Sequence, residues 1–367
     1  MEIVNKDQNL TSWDPFALES DDAWFWHSTD WMEYTQEYAG DLFVADRSFF
    51  VTENGNIMAI CPVFVERSPF SEDAKQFTCS GSLTAPLALP AMANGLSAAK
   101  RQEILVFYLE TLKSLSDEES VSYVSLRMPA IAKSNIEIDM PSANPLLRYG
   151  FTDLSYITRV IDLSPDETEL WSDIRKGHRA DIRRAEKSCQ IKIWDQSNIT
   201  PEKFNEYQQL HHKDNGRVTR TQRTFDLTRT WVERGNAILA EAEHDGRGIG
   251  FSLFVTYGNG AFYGSSCRDP EFMSIPASHL TQWSVMGWLK SHGYRWYEIG
   301  PQAFSPQLHD LATDKSASIS SFKNGFGGRT IPSVTAEYFY SKELMEKVYR
   351  QRMDDLFSLI SPEPAKV

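Results

Sequence analysis

Hydrophobic residues concentrate in two short blocks of the sequence that follow the same plan. Residues 48–66 contain two strand-forming runs on either side of an Asn-Gly pair at 54–55, and residues 237–256 contain two such runs around an Asp-Gly pair at 245–246. These dipeptides tolerate the positive φ angles of a tight hairpin turn. Each block therefore predicts a β-hairpin.

Each hairpin is followed by residues with helical spacing. Between 98 and 114 apolar residues recur three and four positions apart, which predicts an amphipathic helix, and a strand is predicted after it at 121–127. The second half repeats this order, with a helix predicted at 277–291 and a strand at 294–299. The predicted fold class is α/β with mixed sheets, built from two copies of one unit.

The junction between the two copies is predicted at 155–168, where turn residues precede acidic residues suited to the start of a helix. We therefore place a first domain at 1–160 and a second at 161–334. Residues 335–367 carry a strand-like run and a helical run, and we expect them to complete the first domain. The stretch 68–99 is long for a loop, so it is either functional or contains elements that the pattern does not reveal.

Composition and charge narrow the class of protein. The 367 residues are 41% hydrophobic and 12% aromatic, which excludes a disordered chain. The net charge of -13 is uneven, because residues 1–160 carry -12 and residues 161–367 carry -1. We expect no DNA partner, and any polyanion should meet the second half of the chain.

The sequence gives no sign of export or of a bound metal. It has no cationic, apolar leader at its start and no apolar run near the ~20 residues that cross a bilayer. We expect a cytoplasmic protein with no transmembrane segment, and a peripheral position at a membrane stays open. Four scattered cysteines predict reduced thiols, and neither a metal site nor a permanently bound cofactor is predicted.

A basic segment at 170–187 is predicted to form one helix. Arg175, Arg179 and Arg183 recur every four residues and would form one stripe along it. Such a stripe in an acidic protein suits a phosphate-binding surface, and a solvated helix face is the alternative.

A second dense segment, at 319–329, combines glycines with a lysine. Gly325, Gly327 and Gly328 permit close backbone approach, and Lys323 lies between small polar residues and an aromatic residue. Two interpretations stay open for it: a partly buried ammonium at a functional site, or a turn beside a lysine that reaches solvent.

Four stretches together resemble a known family. The helix at 170–187, the strand at 262–266, the helix and strand at 280–300 and the Phe-Lys-Asn-Gly-Phe-Gly-Gly run at 322–328 look like the FemA/FemB/FemX-type aminoacyl and acyl transferases. These enzymes consist of two tandem GNAT-like domains. The resemblance covers most of 160–335 and is weaker over the first half of the chain.

The resemblance implies transfer of an aminoacyl or acyl group from a phosphorylated carrier to an amine of a cell-envelope or polysaccharide precursor. In the best-known members the carrier is tRNA. The acceptor would be a small molecule or a lipid-linked or nucleotide-linked amine. Lys323 matches the functional lysine of the family and would place a cation near the developing oxyanion or the donor phosphates. The arginine stripe would suit a phosphorylated donor.

We expect the substrate cleft between the domains, beside the strands that end near Arg127 and Gly300. Arg127, Tyr263 and Tyr297 are candidate substrate-binding residues, and a core role for the two tyrosines is the alternative. Glu298 is the candidate proton acceptor or ammonium anchor, because it is the one carboxylate at the end of the second strand.

Two departures from the family leave other functions open. Met128 stands where the peptidoglycan-bridge enzymes tend to carry the Asp of an Asp-Pro pair. This difference argues against a peptidoglycan precursor as the acceptor. An acyl-CoA-dependent GNAT N-acyltransferase acting on an amino sugar is one alternative, although residues 268–277 lack the glycines of the usual CoA loop. A non-catalytic paralogue that binds an envelope precursor is another.

Overall fold

A computed structural model of the chain describes residues 1–71, 73–79, 85–138, 143–304 and 307–360. The described residues fall into two compact units. The first unit comprises Met1–Ile157, Gln302–Ser318 and the chain from Pro332 onward, and the second comprises Thr158–Pro301 and Ile319–Ile331. The sequence places the domain limits at 160 and 334.

The described chain is mixed α/β. Its α-helices are α1 (Trp13–Glu19), α2 (Thr29–Ala39), α3 (Ala98–Glu119), α4 (Glu167–Asp173), α5 (Lys176–Ala185), α6 (Pro201–Asn215), α7 (Gln222–Glu233), α8 (Ala277–Ser291), α9 (Asp314–Asn324) and α10 (Lys342–Ile360). The strands of its first part are β1 (Glu2–Asn5), β2 (Phe43–Asp46), β3 (Phe49–Glu53), β4 (Asn56–Cys61), β5 (Phe64–Arg67), β6 (Lys75–Phe77), β7 (Leu87–Ala88), β8 (Ala91–Met92), β9 (Val121–Arg127) and β10 (Thr152–Asp153). The remaining strands are β11 (Tyr156–Asp162), β12 (Gln190–Trp194), β13 (Ala237–His244), β14 (Arg247–Tyr257), β15 (Gly260–Arg268), β16 (Trp296–Gln302), β17 (Arg329–Ser333) and β18 (Thr335–Phe339).

Both predicted hairpins are confirmed, as β3–β4 and β13–β14. The turn residues adopt the left-handed conformation that the dipeptides predict: φ is 50° at Asn54 and 80° at Gly55, and 49° at Asp245 and 77° at Gly246. The local turn chemistry therefore determines both strand connections.

The first unit contains two sheets. One has the strand order β1-β3-β4-β8, and the other has the order β10-β18-β9-β6-β5-β2, with β7 also paired to β9. The stretch 68–99 contributes β6, β7 and β8 to these sheets, so its described part contains strands that the sequence pattern did not reveal. Residues 72 and 80–84 lie outside the described part.

The late strand β18 pairs antiparallel with β9, so that Thr335 lies opposite Arg127. The helix α10 follows, and a buried ion pair holds it there. The Glu337 carboxylate, fully buried on β18, accepts hydrogen bonds from Arg352 of α10 at 2.6 and 2.9 Å. This end of the chain therefore packs on the first unit.

The helix α3 carries the spacing that the sequence predicts. Ile104, Tyr108 and Leu112 are fully buried in the first unit's core, and charged residues occupy other positions of the helix. Burial of one apolar face is what stabilises such a helix. Within the described ranges, no helix is long and apolar enough to cross a membrane.

The second unit is built on one sheet with the order β12-β13-β14-β15-β16-β11-β17. The strands β12 to β15 are antiparallel neighbours, whereas β15 and β16 run parallel. The helices α5 and α8 pack on this sheet through Ile182, Val285 and Met286, all fully buried. The helices α6 and α7 contact β13, β14 and β15.

The prediction of one helix at 170–187 is wrong, because the chain forms α4 and α5 with a break between them. Ile174 and Arg175 are extended, with ψ of 131° and 138°. The Arg175 backbone N–H donates to the Gly325 carbonyl at 2.9 Å, and Ile174 is buried in the core. These tertiary contacts interrupt a sequence whose local pattern favours a continuous helix.

Candidate active site

A cavity of about 570 Å³ opens in the second unit where the parallel strands β15 and β16 stop pairing. β15 and β16 are paired only from Gly260 to Phe262 and from Trp296 to Glu298. β15 continues to Arg268 without that neighbour, and its residues 263–266 line the cavity. The opening is therefore a consequence of the strand geometry.

The charged side chains of the cavity wall are mainly cationic. Lys323, Arg184 and Arg268 line it against one carboxylate, that of Asp181. His279 also lines it, and burial together with the charge of His178 lowers the pKa of His279 to about 4. The imidazole is therefore neutral near pH 7, and the wall favours an anionic ligand.

The glycine-rich segment fits closely against α4, α5 and β11. A methyl group at Gly325 would collide with the His178 ring, one at Gly327 with the Asp173 carboxylate, and one at Gly328 with the Val160 carbonyl. The Gly328 N–H donates to Asp173 Oδ2 at 2.7 Å. These glycines are therefore required for packing, and they fix the end of α9, where Lys323 lies.

Lys323 extends from the last turn of α9 to the end of β16. Its Nζ donates to the Pro301 carbonyl at 3.2 Å, and a Cβ at Gly300 would lie 2.8 Å from that Nζ. Gly300 has φ of 111°, a conformation that side chains other than glycine disfavour. Burial lowers the pKa of the Lys323 ammonium, and the Glu298 carboxylate acts in the opposite direction.

Glu298 lies on β16, two residues before Gly300. Its side chain is buried, and its Oε1 accepts a hydrogen bond from the Thr158 hydroxyl at 2.7 Å. The structure thus brings together the carboxylate and the ammonium that the sequence singled out. Both roles in catalysis stay predictions.

Aromatic side chains hold Lys323 and its helix in position. The rings of His178 and His279 meet edge to face with centroids 4.5 Å apart, and Phe322 and Phe326 pack against both. His178 Nε2 donates to the Phe322 carbonyl at 2.8 Å. The residue before Lys323 is therefore anchored through both its backbone and its ring.

The stability of the protein should fall on acidification partly because of His279. An unfolded histidine binds a proton near pH 6.5, whereas folded His279 binds one only near pH 4. The unfolded state therefore holds more protons between these values, and lowering the pH favours unfolding. In His279→Gln, the loss of unfolding free energy between pH 7 and pH 5 should be smaller by about 1–2 kcal/mol, as measured by urea denaturation. An equal loss in both proteins would contradict the pKa of His279.

The structure places the three arginines of the predicted stripe away from the cavity lining. Arg175 donates to His178 Nδ1 at 3.1 Å, Arg179 donates to the Ser172 carbonyl at 2.8 Å, and the Arg183 guanidinium lies 5.3 Å from the centre of the Trp171 ring. Arg175 precedes α5 rather than lying on it. Their binding of a donor stays a prediction.

The other candidate binding residues occupy different surroundings. Tyr263 lines the cavity and stacks on Phe254. Tyr297 is fully buried and donates its hydroxyl to Gln282, so its position is that of a core residue. Arg127, in the first unit, is half-buried at the end of β9 with its guanidinium 5.0 Å from the centre of the Trp26 ring.

Sequence reasoning missed three residues that line the cavity: Arg184, Arg268 and His279. Arg184 was in the basic segment, but its position depends on where α5 begins. Arg268 donates to the Ile275 carbonyl at 2.7 Å and so shapes the turn before α8. The sequence does place His279 at the start of a predicted helix. Its aromatic neighbours are distant in sequence, so the pattern alone does not reveal its site.

Comparison with known families identifies the second unit. Residues 172–305 match the family model described as an acetyltransferase (GNAT) domain. No curated protein matches the sequence. The second unit therefore contains an acyltransferase domain, as the sequence predicts.

Solved structures share the fold of the whole chain. The crystal structure of FemX is 15% identical, covers 95% of this chain and 100% of its own, and gives a TM-score of 0.67. The C-terminal domain of a putative lysylphosphatidylglycerol synthetase from Agrobacterium fabrum is 12% identical, covers 96% of this chain and 97% of its own, and gives a TM-score of 0.60. A tandem GNAT protein from the clavulanic acid biosynthesis pathway is 12% identical, covers 93% of this chain and 98% of its own, and gives a TM-score of 0.52. The predicted fold class, mixed α/β with two tandem GNAT-like units, is confirmed.

Proposed function

We propose that the protein is an N-acyltransferase of FemX type that transfers an aminoacyl group from a phosphorylated carrier, preferably aminoacyl-tRNA, to an amine of a cell-envelope or polysaccharide precursor. The observation that carries the proposal is the cavity beside β15 and β16, with Lys323 at its wall and Glu298 on the adjoining strand. The FemX-like fold supports the reaction class.

The proposed chemistry is aminolysis of an ester. The acceptor amine attacks the carbonyl carbon of the aminoacyl ester, so that a C–N bond forms and the carbonyl oxygen becomes an oxyanion. The C–O bond to the carrier then breaks, and the proton of the amine ends on the carrier hydroxyl. A fixed cation near the oxyanion lowers this barrier by several kcal/mol, which is the role proposed for Lys323. Glu298 would carry the proton between the two sites.

The charges around the cavity support a donor with phosphate. Three cationic side chains line the cavity against one carboxylate, and Arg184 pairs with that carboxylate at 2.9 Å, which leaves the charges of Lys323 and Arg268 on a protein of net charge -13. A concentrated positive wall on an acidic protein steers an anionic ligand to that position. The backbone of an RNA or the phosphates of a nucleotide carrier would meet this requirement.

An acyl-CoA donor is the second candidate, because the matched family is described as an acetyltransferase domain. The turn before α8 weighs against it. Residues 268–277 contain no glycine and no residue with a positive φ. The Arg268 side chain donates a hydrogen bond to the Ile275 carbonyl within that turn. The usual CoA loop directs several backbone N–H groups at a pyrophosphate, and this turn lacks the glycines that allow it.

Donor binding tests the proposal through two neighbouring arginines. Arg184 lines the cavity, whereas Arg183 stacks on Trp171, so Arg184→Glu should weaken donor binding by about tenfold or more and Arg183→Glu should weaken it less. Binding would be measured with aminoacyl-tRNA and with acetyl-CoA at several salt concentrations. Removing a phosphate contact should also flatten the salt dependence.

Three results of that experiment would change the assignment. If the protein binds acetyl-CoA but not aminoacyl-tRNA, the donor would be an acyl-CoA. If Arg183→Glu weakens donor binding more than Arg184→Glu does, the donor would bind at the predicted arginine stripe, which includes Arg183. Binding of neither donor would contradict the proposed function.

Substitution of Glu298 should change the pH dependence of transfer. Glu298→Gln keeps the hydrogen bond with Thr158 but removes the proton acceptor, so the rate should fall by about 10²-fold and lose its dependence on an acidic group. The readout is the pH profile of kcat/KM from pH 5 to 9. An unchanged rate and profile would show that Glu298 is not the base.

A further inference from the structure

His178, on α5, is a buried histidine to which the proposed reaction assigns no role. Only 3% of its surface is exposed. Both of its ring nitrogens are hydrogen-bonded: Nδ1 lies 3.1 Å from the Arg175 guanidinium, and Nε2 lies 2.8 Å from the Phe322 carbonyl. Within the described chain, the cavity lining includes Phe322 and Lys323 but not His178. Any effect of His178 on the reaction must therefore pass through its neighbours.

The two partners of His178 determine which nitrogen carries the proton. A guanidinium only donates, so Nδ1 is the acceptor, and a carbonyl only accepts, so Nε2 carries the hydrogen. Burial and the charge of Arg175 lower the pKa of the His178 imidazole, so the ring is neutral near pH 7. Arg175 therefore favours the tautomer in which His178 donates to Phe322.

The bond from His178 is one of three that join the α4–α5 segment to the glycine-rich segment. The other two, described above, hold Gly325 and Gly328, which follow Lys323 in the sequence. The bond from His178 holds Phe322, the residue directly before Lys323. The Lys323 backbone is thus fixed from both sides, and His178 provides the fixed point on the helical side.

The carbonyl that His178 contacts belongs to the last turn of α9. Carbonyls in the last turn of a helix lack partners within the helix. The Phe322 carbonyl accepts from the Gly325 N–H at 3.1 Å and from His178 at the shorter distance of 2.8 Å. Loss of the histidine bond would leave the turn free to shift, and with it the Lys323 Nζ that reaches the Pro301 carbonyl.

We propose that His178 is a positioning residue for Lys323, and that Arg175 holds His178 in the tautomer that this role requires. The His178 N–H fixes the last turn of α9 and so keeps the Lys323 ammonium at the end of β16. The inference rests on the proposed function, because the ammonium matters there as the cation beside the oxyanion. It also gives Arg175, a member of the predicted arginine stripe, a role within the protein.

A pair of amide variants separates the hydrogen bond from the ring. In His178→Gln the amide N–H reaches the position of Nε2 and can donate to the Phe322 carbonyl, whereas in His178→Asn the amide ends one methylene short of it. Both variants lose the ring, so the difference between them reports the bond. With aminoacyl-tRNA as donor, kcat should stay within about threefold of the wild type in His178→Gln and fall about 10–10²-fold in His178→Asn, with KM unchanged.

A double variant shows whether His178 acts through Lys323. Once Lys323→Met has removed the ammonium, its position no longer matters, so adding His178→Asn should lower the residual rate by less than about twofold. A general structural role would instead lower the rate of Lys323→Met by the same factor as that of the wild type. His292→Asn, at an exposed histidine directly after α8, is the matched control and should leave the rate unchanged.

The titration of the Lys323 ammonium gives a readout that needs no transfer activity. The full chain would be labelled with ¹³Cε-lysine and titrated by NMR, with the signal identified by its absence in Lys323→Met. Burial lowers the pKa of this ammonium. His178→Asn should raise the pKa toward the ordinary lysine value of 10.5, because the side chain gains access to water, whereas His178→Gln should leave it unchanged.

The proposal is overturned if the Lys323 titration is the same in His178→Asn and His178→Gln, if the two variants transfer equally fast, or if the losses multiply in the double variant. If neither amide variant folds, Arg175→Met decides from an exposed position. A kcat about threefold lower with unchanged KM supports the proposal, and an unchanged kcat overturns it. A wild type that transfers no group contradicts the proposed function, and the NMR titration still tests the role of His178.

Discussion

Replacing Lys323 with Met is expected to leave the protein folded and to lower the rate of acyl transfer by about 10²–10³-fold, the loss seen when one oxyanion-stabilising donor is removed. Methionine keeps most of the apolar stem that lies between α9 and β16, so the packing of Phe322 and Phe326 should survive. The charge disappears, together with the hydrogen bond to the Pro301 carbonyl. Because the oxyanion forms only during the reaction, the loss should appear in kcat more than in KM.

The controls for this prediction use a second lysine and a second cation. Lys315→Met, at an exposed position on the same helix, should transfer at the wild-type rate. Lys323→Arg should recover little activity, because the planar guanidinium does not place its charge where a compact ammonium does. A folded Lys323→Met protein with the wild-type rate would refute the mechanism and would leave the glycine-rich segment as a structural turn.

The pH dependence gives the same mechanism an independent readout. Burial lowers the pKa of Lys323, so its ammonium loses the proton at a lower pH than an exposed lysine does. Transfer that needs the ammonium should therefore decline on the alkaline side at a pH below the ordinary lysine value of 10.5. Lys323→Met should not show this decline in its residual activity.

Replacing Gly328 with Ala is expected to destabilise the second unit by about 2–5 kcal/mol. Gly328 has φ of 77°, which costs an alanine about 1–2 kcal/mol. A methyl group there would also overlap the Val160 carbonyl and lie 2.9 Å from an Ile161 side-chain carbon, and such overpacking costs about 1–3 kcal/mol more. Urea denaturation followed by tryptophan fluorescence measures the change.

Gly216 provides the matched control for Gly328. It follows α6 with φ of 65°, and a methyl group there would meet nothing within 4 Å. Gly216→Ala should therefore show the conformational cost alone, about 1–2 kcal/mol. Equal destabilisation by the two substitutions would mean that β11 yields to the methyl group and that the glycine-rich segment is less tightly fitted than its contacts indicate.

Local chemistry determined the elements that the sequence predicted well. The helix predicted at 277–291 has those bounds in the structure, and the strand predicted at 121–127 does as well. Their signals are spacing and turn residues that lie within a few positions of one another. The short strands β6, β7 and β8 carry no such signal, because pairing with β9, β5 and β4 defines them.

The candidate site likewise combines features that the sequence predicted with features that only the tertiary structure shows. The sequence by itself identified Lys323, Glu298 and the glycines, because their residue types are unusual beside a strand end and in a short segment. Only the tertiary structure placed the ammonium over Gly300, interrupted the basic helix at Arg175 and turned Arg184 toward the cavity. Turns and helical faces depend on neighbours along the chain, whereas these three features depend on contacts between residues far apart in sequence, such as the bond from Arg175 to Gly325.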